Sequence, residues 1–138
     1  MSDLYRFGVS IDSRLIGQFD AAIEARGYTN RSEAIRDLIR DFIVRQRWGA
    51  DEEIVGTITL VYDHHVREVS PRLIELQHDA EDAIMSNMHI HLDHDNCLEV
   101  IAVRGRAKQV QALADELIGA RGVKHGKLAA TTTGRGLS

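Results

Sequence analysis

Cysteine and proline each occur once in the 138 residues, and aromatic side chains make up only 5%. The single cysteine, Cys97, excludes an intrachain disulfide and leaves its sulfur as structural filler, an intermolecular link, a nucleophile or a metal ligand. No apolar run approaches the roughly 20 residues a membrane span needs. The start, Met1-Ser-Asp-Leu-Tyr-Arg6, lacks the apolar stretch of a secretory signal, so a cytoplasmic protein with no membrane partner is expected. Neither sign of charge dominates, with 17 Lys and Arg against 21 Asp and Glu and a net charge of −4. What is present, 43% hydrophobic and 28% charged residues, is the composition of a globular chain of one or two small domains, neither collagenous nor disordered.

The charges and the histidines are unevenly spread. All eight positive charges before Gly49 are Arg, whereas all seven His and the one Cys lie after it. The segment Trp48-Gly-Ala-Asp-Glu-Glu53 reads as a linker. The expected organisation is a domain over 1–48, a linker over 49–53, a second domain over 54–130 and a polar tail over 131–138. That tail has too few apolar groups to order itself.

In the first domain, Tyr5, Phe7, Val9 and Ile11 alternate with Arg6, Gly8 and Ser10, the period of a half-buried strand. Asp12 or Ser13 can cap a helix with Leu15, Ile16, Phe19, Ala22 and Ile23 at helical spacing, ending before Gly27. Asn30 can cap a second helix whose stripe is Ala34, Ile35, Leu38, Ile39, Phe42 and Ile43. One strand and two helices cannot bury an adequate core, and a lone strand is unpaired along both edges, which predicts a dimer. Two such strands pairing antiparallel make a ribbon with Arg6 and Ser10 on one exposed face, a shape the DNA major groove admits. The helix start at Asn30-Arg31-Ser32 suits a phosphate. A helical dimerisation module without a nucleic-acid role is the bland alternative. This strand, helix, turn and the stretch Gly27-Tyr-Thr-Asn-Arg-Ser-Glu-Ala-Ile-Arg36 resemble the ribbon-helix-helix DNA-binding family over residues 4–46.

The second domain reads as strand 54–62, helix 66–81, strands 83–92 and 98–103, helix 107–120 and strand 123–129. The order β-α-β-β-α-β is the ferredoxin-like split unit of ACT-type ligand-sensing domains, so the whole chain is expected to be α+β. His89 and His91, two apart on a strand, leave the same face about 7 Å apart, and Cys97 returns to the neighbourhood across a short hairpin. His78, at the end of a helix, is a plausible fourth ligand that a symmetry mate could supply. Three imidazoles and a thiolate suit zinc in a tetrahedral shell, or Ni(II) or Cu(II) in a planar one. Four protein ligands leave no open position, which argues against a metalloenzyme, and no nucleophile elbow, phosphate loop or His-Glu-x-x-His helix is present. An amino-acid-sensing regulator with a structural zinc is the third class.

With Gln77-His78, His89-Ile-His-Leu-Asp-His-Asp-Asn-Cys-Leu-Glu99 and Arg121-Gly-Val-Lys-His-Gly126 added, nearly the whole chain resembles the nickel-responsive transcriptional regulator (NikR) family. The resemblance implies a planar nickel site of His89, His91 and Cys97 from one subunit and His78 from another, with one Ni(2+) per subunit. It further implies a homotetramer, a dimer of dimers, in which nickel promotes binding to palindromic operator half-sites and represses nickel uptake. Carried onto matching positions, Arg6 and Ser10 would read bases, and Asn30, Arg31 and Ser32 would hold the backbone. Gly8 departs from the family pattern, where a longer polar side chain is expected. Glu33 and Asp37, four apart on a helix, repel unless a cation or helix N-terminus offsets them; the resemblance implies a second cation there, and two solvated acids are the equal alternative. His64, His65, His94 and His125 read as solvated or supporting groups, and Tyr62, Gln77 and Glu99 as groups that orient the ligands.

Overall fold

The computed structural model describes residues 3–138. The chain divides into two compact units, one ending at Asp41 and the other spanning Phe42–Ser138.

In the first unit, helix α1 (Ser13–Ala25) begins where Asp12 accepts a hydrogen bond from the Arg14 amide, and it ends at the left-handed Gly27. Helix α2 (Arg31–Gly49) begins where the Asn30 side-chain oxygen accepts from the Glu33 amide at 2.9 Å, the expected N-cap. The strand expected over Tyr5–Ile11 is not paired: residues 3–12 have no regular structure. A strand needs a ladder, and the first unit of one chain offers this segment no second strand. Its apolar side chains are accordingly bare, with Tyr5 88% and Val9 67% exposed, and the inward stripe positions Leu15, Leu38 and Ile39 are exposed too.

The two compact units divide inside α2, whereas the helix itself continues past that point. Nothing in Val44-Arg-Gln-Arg-Trp48 breaks a helix, so α2 runs on to Gly49, and only Ala50–Glu52 separates it from strand β1 (Glu53–Asp63). Trp48 packs against the core of the second unit. The Arg47 guanidinium donates to the Arg135 carbonyl at 2.8 Å, which ties down a tail expected to lack order of its own.

The second unit continues with helix α3 (Val69–Asp79), strands β2 (Ile84–His91) and β3 (Asn96–Arg106), helix α4 (Ala107–Ile118) and strand β4 (Val123–Thr131). The sheet is antiparallel with order β2-β3-β1-β4, the ferredoxin-like arrangement expected. Ile58, Leu60 and Ile101 from the sheet pack with Leu73 and Leu76 of α3 and Val110 and Leu117 of α4, all buried. The tight turn between α4 and β4 uses Gly122 at φ +98°, where a Cβ would lie 2.8 Å from the Val69 side chain. This closes the helical layer over the sheet. No helix is long and apolar enough to cross a membrane among the described residues.

Candidate metal centre

Strand register places the site. Cys97 of β3 stands opposite His91 of β2 on one side and Tyr62 of β1 on the other, while Glu99 stands opposite His89 and Leu60. Side chains two apart share a face, so His89, His91, Cys97, Glu99 and Tyr62 all project from the helix-covered face of the sheet. Cys97 and Tyr62 are buried there, 1% and 2% exposed, because β3 and β1 are central; β2 is an edge strand, and its two imidazoles remain open to solvent.

The Cys97 Sγ lies 4.0 Å from His91 Nδ1. Metal bonds of roughly 2.3 Å to sulfur and 2.0 Å to nitrogen bring two ligands of one ion to separations of about 3 to 4.3 Å, so this pair is at ligand spacing. The third donor the structure groups with them within 4.8 Å is His64, from the end of β1, rather than His89. His89 is stacked on His91 with ring centroids 6.0 Å apart, and its Nε2 is 3.1 Å from the Tyr62 hydroxyl. The tyrosine hydroxyl thus engages a His89 ring nitrogen that a metal would otherwise use. The sequence alone treated His64 as a supporting group, because its approach depends on the end of β1 meeting the β2–β3 hairpin. The His64 amide makes that contact by donating to the Asp95 carbonyl.

His78, near the C-terminus of α3, is exposed and 4.0 Å from Glu81. It lines a cavity of about 520 Å³ together with His89, Tyr62 and Glu99. Glu99, a buried carboxylate at 6% exposure, accepts from the Gln77 amide at 2.6 Å and from Asn87 Nδ2. Asn87 also donates to Gln77 Oε1, closing a triangle that satisfies the carboxylate. Asn87 was not singled out in the sequence, where nothing marks an asparagine between exposed strand residues. Burial, with Glu99 and Cys97 nearby, pushes the Tyr62 hydroxyl up to about 12. Burial, then the carboxylates Asp93, Asp63 and Glu99, push the Cys97 thiol up as well. The metal-free thiol is therefore protonated at neutral pH, and ligation must release that proton. One soft sulfur and several imidazoles at an edge suit a borderline divalent ion and not a hard one.

The residues expected to meet DNA lie in the first unit. Arg6 and Ser10 are exposed in the unpaired N-terminal segment. Arg31 is held in a bidentate pair with Asp20, at 2.8 and 2.7 Å, which holds the Asp20 carboxyl below its usual range. Asn30 is engaged as the cap and Ser32 is exposed in the first turn. Glu33 and Asp37 each have partners of their own: Thr29 donates to Glu33, and Tyr28 and Arg40 donate to Asp37.

Comparison with known proteins also divides the chain in two, with the break between residues 46 and 55. Residues 55–131 match the family described as NikR C terminal nickel binding domain, and residues 5–46 match the ribbon-helix-helix protein, copG family. The chain is 59% identical over 138 residues, 99% of each chain, to a protein of Geobacter sulfurreducens named "Putative nickel-responsive regulator". It is 56% identical over 133 residues, 96% of each chain, to a protein of the same name from Pyrococcus furiosus. An uncharacterized protein of Thermotoga maritima shares the fold alone, with a TM-score of 0.52 at 16% identity over 57% of this chain and 98% of that one. The chain belongs to the nickel-responsive transcriptional regulator family, a family of DNA-binding regulators and not of enzymes, with a ribbon-helix-helix domain followed by a nickel-binding C-terminal domain.

Proposed function

We propose that the protein is a nickel-gated repressor. Nickel held by its C-terminal domain favours binding of its paired N-terminal domains to a palindromic operator and so lowers expression of nickel-uptake genes in the cytoplasm. The observation that carries this reading is the Cys97 thiol and the His91 imidazole at ligand spacing, with further imidazoles beside them on one sheet edge. His89, His91 and Cys97 would hold one nickel per subunit together with the partner subunit's His78. The bound ion would supply a cross-link between chains and fix Cys97 as a thiolate.

The chain's own groups prepare that role. The Tyr62 hydroxyl fixes the His89 ring, and Glu99, Gln77 and Asn87 stiffen the wall of the cavity that His78 and His89 share. In the assembled homotetramer, a dimer of dimers, two ribbons would engage two half-sites at once. Arg6 and Ser10 would reach base edges, with Asn30, Arg31 and Ser32 at the phosphates. With a net charge of −4, affinity must come from that double engagement more than from nonspecific attraction. The grouping of His64 with His91 and Cys97 favours a second donor set in which His64 replaces His89.

Nickel titration followed by absorption, with retention of the uptake-operon promoter measured in the same samples, tests both. One nickel per chain, a thiolate charge-transfer band lost in Cys97→Ala, and nickel-dependent DNA retention are expected. Loss of the band in His89→Ala but not His64→Ala selects the first donor set, and the reverse selects the second. Nickel binding that leaves DNA retention unchanged overturns the gating.

A further inference from the structure

A second group of metal-ligating side chains lies beside the first and is made of different residues. One nitrogen each of His65 and His94 and an oxygen of Asp95 all lie within 4.8 Å of one another. His65 Nε2 is 3.3 Å from Asp95 Oδ1, and the His65 and His94 ring centroids are 5.0 Å apart. All three side chains are exposed, so a cation could reach them without any core group moving.

Their positions are set by backbone and not by chance rotamers. The end of β1 is pinned to the hairpin by the His64 amide, which donates to the Asp95 carbonyl at 3.2 Å. On one side the Asp63 carboxylate accepts from the His65 amide, and on the other the Asp93 carboxylate accepts from the Asp95 amide, both at 2.9 Å. Two short loops therefore present two imidazoles and a carboxylate to one point. His65 Nε2 also lies 3.0 Å from the His94 carbonyl.

We propose that His65, His94 and Asp95 form a second, solvent-open binding site for a borderline divalent cation such as nickel or zinc. Two nitrogens and one carboxylate oxygen make a mixed donor set that such ions accept, and water fills the remaining positions. An open site with three protein ligands exchanges its ion faster than a closed four-ligand site and binds it more weakly. The site does not depend on the partner subunit or on Cys97, because all three donors come from one chain and none belongs to the set His78, His89, His91 and Cys97.

That independence defines the experiment. The full chain carrying His89→Ala and Cys97→Ala, titrated separately with nickel and with zinc by calorimetry, is expected to retain one cation per chain. Adding His65→Ala or Asp95→Asn should weaken that binding by about tenfold or more, with unchanged far-ultraviolet circular dichroism, because both side chains are exposed. Paramagnetic broadening by nickel should be strongest at the His65 and His94 ring resonances, weaker at His64, whose ring centroid is 4.0 Å from that of His65, and weaker still at the more distant His78 and His125 in the same background. Absence of any residual cation in the His89→Ala, Cys97→Ala background overturns the site, and so does residual binding indifferent to His65→Ala and Asp95→Asn. Either of those results would leave the four-ligand centre untouched, and its failure in turn would show as loss of the thiolate band in the unaltered chain.

Discussion

At the scale of single residues, Tyr62 shows how the centre is wired. Its hydroxyl lies 3.1 Å from His89 Nε2, and burial beside Glu99 and Cys97 raises it from 10.0 to about 12. A group whose folded value is raised stabilises the fold fully below its unfolded value and loses that contribution as pH climbs through the folded one. The unfolding midpoint of the metal-free protein should therefore fall between pH 10 and pH 12, and Tyr62→Phe should fall less over that window. Equal falls in a chemical-denaturation series would show that the hydroxyl ionises as freely in the fold as outside it. The Cys97 thiol moves in the same direction, so if it is the proposed nickel ligand, nickel occupancy should weaken as pH falls, since every proton restored to sulfur competes with the ion.

At the scale of an element, the start of α2 carries the clearest division between folding and function. The Asn30 cap satisfies the Glu33 amide, and Asn30→Ala should cost about 1 kcal/mol, read as a shift of the urea midpoint at unchanged slope. Arg31 does other work. Bound to Asp20, it is already oriented, and it must share or leave that pair to reach a phosphate. If it makes that contact, Arg31→Ala should lower the slope of log affinity against log salt by about 0.9, one phosphate's worth. Asp20→Asn, which releases the guanidinium, should raise affinity at low salt. No change of slope in Arg31→Ala would place the residue in the fold and not at the DNA.

At the scale of the whole molecule, the first unit is incomplete alone. Tyr5, Phe7, Val9 and Ile11 are exposed on a segment with no ladder, and Leu15, Leu38 and Ile39 are exposed on the helices. Burying one such side chain is worth about 1.5 to 3 kcal/mol, so a second copy is the natural cover. Stability should then depend on protein concentration: the thermal midpoint rises on concentrating the protein, and Val9→Asp abolishes that rise together with DNA binding. The proposed gating must be reciprocal, so the factor by which nickel strengthens DNA binding should equal the factor by which DNA strengthens nickel binding.

Much of this was legible before any coordinates. The cap at Asn30, the β-α-β-β-α-β order and the return of Cys97 toward His91 across a short hairpin all follow from local patterns, which depend on neighbours a few residues away, whereas the strand expected over residues 5–11 is absent from the single chain. What tertiary structure decided involves contacts distant in sequence. It turned His89 toward Tyr62, 27 residues away, and brought His64 beside His91 and Cys97. It seated Trp48, at the end of α2, against the core of the second unit and fixed the tail through Arg47. It also gathered His65, His94 and Asp95 at one point, by joining two loops about 30 residues apart. Sequence determines which side chains a strand or helix can present on one face; which faces meet is set only when the sheet order brings separate strands together.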